Sequence, residues 1–230
     1  MRYKGEVLPA IFIKRQNRFV AHCLLEGEEV VVHVPNTGRC KELLIEGSLC
    51  YLLKSQNPKR KTAYSLIAVE KGEKLINLDS GAPNKLVREA VLNGKLPFMD
   101  PRSLRSEVTF GKSRLDFADA RGYMEVKGVT LENQGVAACP DAVTARGARH
   151  LEELAKAVEL GKEGHLLFVV QMEGIHLFTP NEKMDPHFTQ TLKKVMNQGV
   201  QVHVYDCKVT SSELVLNEEI PFQLGVDFYA

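Results

Sequence analysis

Residues 114–129 read Arg114-Leu115-Asp116-Phe117-Ala118-Asp119-Ala120-Arg121-Gly122-Tyr123-Met124-Glu125-Val126-Lys127-Gly128-Val129. Apolar and polar residues alternate on both sides of Asp119-Ala120-Arg121-Gly122, whose Asp and Gly suit the ends of a tight turn. A hairpin closed there places Asp116 opposite Glu125 and Arg114 opposite Lys127. Side chains alternate along a strand, so these four share one face, and Leu115, Phe117, Met124 and Val126 take the other and belong to the core. Two carboxylates directly opposed on a ladder lie about 4.5–5.5 Å apart at Cβ and destabilise the sheet. A raised carboxylate pKa, a nearby lysine or a divalent cation would compensate.

An Asp and a Glu converging beside an ammonium form an oxygen-ligand site suited to Mg²⁺ (or Mn²⁺), with Asp116 and Glu125 as the metal ligands. Phosphodiester hydrolysis uses such a set: the metal activates water, and Lys127 steadies the nucleophile or a phosphate oxygen. Glu89, on the helix expected before the hairpin, is a candidate third carboxylate. The same spacing also describes an ordinary surface ladder, Asp116 with Arg114 and Glu125 with Lys127, and spacing alone does not choose between the two.

Upstream of this segment the punctuation is different. Short runs rich in Val, Ile, Leu and Tyr (9–14, 18–24, 30–34, 48–54, 64–71 and 74–78) are separated by Gln16-Asn17, Glu26-Gly27, Pro35-Asn36-Thr37-Gly38, Glu46-Gly47, Asn57-Pro58 and Lys71-Gly72. Five or six strands so spaced predict a small barrel of OB-like size, with residues 39–44 as a short helical piece. After Ser80-Gly81-Ala82-Pro83 the period becomes helical. Asn84 is the expected N-cap, Leu86, Val87, Ala90 and Val91 the buried stripe, and Gly94 the stop. Beyond the hairpin strands, a long helix is expected from Asp141 or Thr144 to Leu160. Strand 165–171, a short strand 174–178, helix 185–197 and strand 200–207 follow. The layout is mixed α/β, with a boundary at residues 80–85: a basic barrel over 1–82 and an α/β domain over 83–230.

Charge is uneven along the chain. The net of +1 hides 14 Lys+Arg against 9 Asp+Glu in residues 1–85, and 16 against 20 thereafter. A basic first part suits a polyanion, because each Lys or Arg laid on a phosphate releases counterions. Lys59-Arg60-Lys61, on a loop after Asn57-Pro58, is the leading phosphate contact. Asn36 in its turn, Arg39, and Arg146 in the first turn of the long helix, beside Arg149 and His150, are further candidates. The five cysteines include no C-x-x-C pair, and neither a bilayer-length apolar run nor a secretory signal is legible, so a reduced, cytoplasmic protein is expected. No P-loop or G-x-S-x-G is present, leaving ATP use and serine hydrolysis without support.

Asp116 with Glu125-Val126-Lys127 resembles the core of the PD-(D/E)xK nucleases, with Leu115 where that label has proline. Several segments together resemble the sugar fermentation stimulation protein A family nearly end to end: His33 to Gly38, Lys59 to Lys61, Arg88 to Ala90, Ser106 to Val108, Arg114 to Phe117, Glu125 to Lys127 and Pro140 to Gly147. The resemblance implies an OB-like first domain, a restriction-endonuclease-like second domain and non-sequence-specific binding of DNA, single- or double-stranded. It also implies a link to maltose metabolism that neither motif nor fold explains. Two functions follow as expectations: a metal-dependent nuclease, or a non-catalytic DNA-binding regulator. RNA is the alternative polymer, since OB barrels take both.

Overall fold

The computed structural model describes all 230 residues. β1 (Val7–Asn17) is long enough to serve two neighbours. Its first half pairs with β4 (Leu49–Lys54) and its second half with β2 (Val20–Leu25), where two register shifts bend the strand. β3 (Glu28–His33) extends the sheet from β2, and β5 (Tyr64–Lys71) extends it from β4. Parallel pairing of Val32 with Tyr64 and His33 with Ser65 then closes a five-stranded barrel, with β6 (Lys74–Asn77) hanging on β5. Phe12, Cys23, Cys50, Leu52 and Leu66 fill the interior, and all five cysteines are free thiols. The helical piece expected at 39–44 is a single turn, with the Leu43 and Leu44 N–H groups both on the Cys40 carbonyl. Cys40 sits at φ +46, in the left-handed region, and cannot start a right-handed helix.

Residues 78–81 lead into α1 (Ala82–Leu92). Gly81, not Asn84, is its N-cap; Pro83 sits in the first turn, which leaves Asn84 free to reach elsewhere. Then come β7 (Arg105–Phe110), β8 (Ser113–Ala118) and β9 (Gly122–Val129). β10 (Leu131–Asn133) and β11 (Val136–Cys139) form a small side sheet. α2 (Ala145–Glu159) is capped by Thr144, whose hydroxyl accepts the Gly147 N–H. It is followed by β12 (Glu163–Val170), β13 (Leu177–Pro180), α3 (Pro186–Asn197, capped by Asp185), β14 (Gln201–Val209) and β15 (Leu214–Glu219).

The large sheet runs β15-β14-β12-β9-β8-β7. β9, β12 and β14 are parallel, which requires crossovers, and α2 and α3 supply them on one face. Leu166, Phe168 and Val204 face these helices. Leu167, Val169, Met124 and Val126 face α1 on the opposite side. β12 is therefore buried on both faces and reads as a continuous apolar run. β10, β11 and β15 were not foreseen, and the strand expected at 174–178 moves to 177–180, where Phe178 pairs with Ala137. No helix is long and apolar enough to cross a membrane.

The barrel and the α/β part share one apolar cluster, in which Val69, Ile76 and Leu78 belong with Val170 and Met172, and polar contacts tie them further. The Gln171 amide donates to the Asn77 carbonyl at 3.1 Å, to Asn77 Oδ1 at 2.9 Å and to the Asp79 carbonyl at 3.1 Å. Lys71 reaches across to Glu132 at 2.9 Å.

Candidate active site

The hairpin closes where the alternation places it. Asp119 Oδ1 accepts the backbone N–H groups of Arg121 and Gly122, and Phe117 pairs with Met124 and Ala118 with Tyr123. The ladder then stops, which the alternation did not show. Asp116 turns its side chain into the gap between the strands, and its Oδ2 accepts the Val126 N–H at 2.8 Å in place of a backbone carbonyl. Arg114 does not join Lys127; its guanidinium pairs with Glu107 at 2.8 Å across β7. Leu115 packs with the core beneath α2, while Phe117, Met124 and Val126 pack beneath α1. The hairpin therefore splays at Asp116.

Three elements bring side chains to Asp116 at the splay. α1 brings Asn84, whose amide donates to Asp116 Oδ1 at 2.7 Å. β9 brings Glu125 and Lys127, and the Lys127 ammonium donates to Glu125 Oε1. α2 brings His150, whose Nδ1 meets the same oxygen. Arg146 lies one turn before His150 and donates from Nε to its Nε2 at 3.3 Å. A ring nitrogen that accepts there leaves a proton on Nδ1, so His150 serves Glu125 as a donor. Glu125 is 3 % exposed, and its other oxygen, Oε2, is buried with no partner.

The two acids are driven apart in pKa. Burial, and then the neighbouring Glu125 charge, push Asp116 up to about 6 against the pull of the Val126 N–H, Asn84 and Lys127. Burial also acts to raise Glu125, but the His150 hydrogen bond and the Lys127 ammonium outweigh it and hold Glu125 below the usual carboxylate range. A buried carboxylate oxygen without a donor, beside an acid whose ionisation is already resisted, is what a divalent cation relieves. The donor set of Asp116 and Glu125 fits Mg²⁺ or Mn²⁺.

Lys127 lines a cleft of about 330 Å³ between the two parts, together with Asn36, Gly38, Ser80, Cys139 and Thr144. The other expected site residues fall elsewhere. Glu89 is exposed and pairs with the α-amino group of Met1 at 3.1 Å, so α1 offers the acid pair Asn84 and not a third carboxylate. Asn36 lines the cleft, but its amide donates to the Leu78 carbonyl at 3.1 Å and its Oδ1 accepts the Gly38 N–H at 2.8 Å, so it holds the turn. Lys59, Arg60 and Lys61 are exposed on the β4–β5 loop; Arg60 donates to Ser65 Oγ at 2.8 Å, and none of the three lines the cleft. Arg39 is exposed and lines a neighbouring hollow of about 370 Å³ with Lys41, Glu132 and Tyr229. The roles of Asn84 and His150 were invisible in the sequence, since each depends on which strand its helix crosses.

Residues 13–78 match the SfsA N-terminal OB domain, and residues 81–213 match the sugar fermentation stimulation protein RE domain. The chain belongs to the sugar fermentation stimulation protein family. Among relatives in that family, the sugar fermentation stimulation protein homolog of Clostridium perfringens (strain 13) is 43 % identical over 230 residues, covering 97 % of this chain and 100 % of the relative. The Clostridium botulinum (strain Hall) homolog is 44 % identical over 230 residues with the same coverage of 97 % and 100 %. Among solved structures, Pyrococcus furiosus SfsA, described in complex with Ca²⁺, is similar with a TM-score of 0.85 and 27 % identity, covering 97 % of this chain and 99 % of that one.

Proposed function

We propose that the chain binds DNA without sequence preference and hydrolyses its phosphodiester bonds at Asp116, Glu125 and Lys127 with a divalent metal. The observation that carries this reading is Glu125 Oε2, buried without a donor beside an Asp116 whose pKa already stands at about 6. The similarity to a family member described with Ca²⁺ supports an oxygen-ligand cation here. A bound Mg²⁺ or Mn²⁺ held by Asp116 and Glu125 would activate water and offset charge on the phosphate. Lys127 spends one ammonium hydrogen on Glu125 and keeps two for a water or a phosphate oxygen in the cleft. His150, backed by Arg146, fixes the Glu125 carboxylate so that its second oxygen stays without a donor.

The test is incubation of supercoiled plasmid, single strands and duplex oligonucleotides with Mg²⁺ or Mn²⁺. Lys127→Met should keep DNA binding and lose about 10²–10³-fold in cleavage rate, the scale of removing one transition-state donor. Equal cleavage by the variant would end the catalytic reading. The second reading is a DNA-binding regulator without cleavage, and one contact favours it: Lys127 and His150 both rest on Glu125 Oε1, a self-neutralised arrangement. Binding by the wild-type protein with no cutting of any of these substrates would select it. Competition between matched RNA and DNA strands decides the polymer.

A further inference from the structure

Beside the acid pair lies a residue the proposed chemistry leaves unused. Glu107, inside β7, has φ +58, a left-handed backbone that costs a non-glycine residue of order 1 kcal/mol in a strand. Pairing of β7 with β8 runs Ser106 to Phe117 and Val108 to Leu115, and skips the rung that would join Glu107 to Asp116. The strain therefore sits directly opposite the candidate metal ligand. Glu107 is half exposed, and its carboxylate lies 2.8 Å from the Nε of Arg114, two residues before Asp116 on the same strand. From the other side α1 contributes Arg88, one turn beyond Asn84, with its guanidinium 3.4 Å from Ser106 Oγ. Two guanidinium groups thus contact the Ser106–Glu107 segment, one at the Ser106 hydroxyl and one at the Glu107 carboxylate.

We propose that Arg114, Arg88 and Ser106 form a phosphate seat for the nucleotide next to the one at Asp116 and Glu125, and that Glu107 occupies it as an internal anion until nucleic acid displaces it. The inference rests on the DNA-binding reading above. A guanidinium takes a carboxylate oxygen or a phosphate oxygen alike, and Arg114 meets Glu107 through Nε alone, so Glu107 is a chemical stand-in for the ligand. The pair is exposed, 64 % for the arginine side chain and 48 % for the glutamate, and exposed ion pairs are weak enough for a phosphate to exchange with one. Two acids stand near the seat, Glu89, held by the N-terminal amino group, and Asp116, half-buried at the splay. Neither pairs with Arg114. The strained backbone of Glu107 is what aims its side chain at Arg114.

The test is fluorescence anisotropy of a labelled 30-mer, single-stranded and duplex, with the full-length protein in EDTA at several salt concentrations. Glu107→Gln keeps the side-chain shape and should bind about two- to fivefold tighter, the scale of one exposed charge contact. Arg114→Gln should bind weaker, with a shallower salt dependence. In the double variant, the gain from Glu107→Gln should vanish. Glu107→Gly, which accepts the positive φ, should reproduce the gain and guards against misfolding of the first variant. If the wild-type protein binds DNA and both Glu107 variants bind equally or more weakly, the seat is refuted while the functional reading stands. If the gain persists in the double variant, Arg114 is not the seat. If the wild-type protein binds neither form of DNA, the functional reading falls and takes the seat with it.

Discussion

Replacing Asp116 by Asn should make the metal-free protein more stable. In the folded state burial and Glu125 raise the Asp116 carboxyl to about 6 from an ordinary value of 3.8. An acid harder to ionise when folded lowers stability as pH rises between those two values, and the full penalty is present above them. At about 1.4 kcal/mol per unit, the penalty at pH 7.5 approaches about 3 kcal/mol as an upper bound. The amide loses that penalty and keeps the local bonds: its oxygen accepts the Val126 N–H, and Asn84 flips to accept from its nitrogen. For a chain of this size the gain corresponds to a rise of at most roughly 6–12 °C in melting midpoint. Thermal melts in EDTA at pH 7.5 and pH 4 check this, with the gain present at the first and nearly absent at the second. Mn²⁺ should raise the midpoint of the wild-type protein at pH 7.5 and leave that of Asp116→Asn nearly unmoved. A variant less stable than wild type in EDTA, or an equal response of both proteins to Mn²⁺, would refute the reasoning.

Other outcomes follow from the same geometry. Asp119 accepts from the backbone N–H groups of Asp100, Arg121 and Gly122, which outweigh burial and hold its pKa below the usual range. Asp119→Ala should cost about 2–4 kcal/mol in urea unfolding at pH 7, and the cost should shrink as pH falls through the depressed folded value, because the carboxylate's contribution exists only when it is ionised. Gly122→Ala would set a Cβ 2.0 Å from the Glu163 carbonyl oxygen, forcing β9 from β12, so a loss of at least about 3 kcal/mol in the same assay is expected. Lys59→Ala with Arg60→Ala should flatten the log–log salt dependence of DNA binding by at most about two contacts while leaving cleavage in saturating DNA intact; an unchanged slope removes that loop from the interface.

The legible parts of this protein are those set by neighbours in the chain. The five barrel strands with β6, the helix starts at Thr144 and Asp185 and the Asp119–Gly122 turn depend on alternation, turn residues and capping oxygens a few positions apart. β10 and β11 are too short to show a period, and they exist because β13 pairs with β11. The turn placed Asp116 and Glu125 on neighbouring strands, and that much was readable, although the rung between them does not form. Contacts between remote elements decided the rest. Asn84 looks like a cap, and Glu89 looks like a third acid, until α1 packs over β9 and β15, Asn84 reaches Asp116 and the Met1 amino group claims the glutamate.

Local pattern, then, determined a strand-rich basic first part, an α/β second part and an acid–acid–lysine hairpin, because steric alternation and turn chemistry act over a few residues. Only the tertiary structure decided that the hairpin opens at Asp116, that His150 and Arg146 back Glu125, and that Glu107 lies on Arg114. Those choices depend on which helix packs over which strand, and that arrangement comes from burying two apolar faces of one sheet beneath helices drawn from distant parts of the chain.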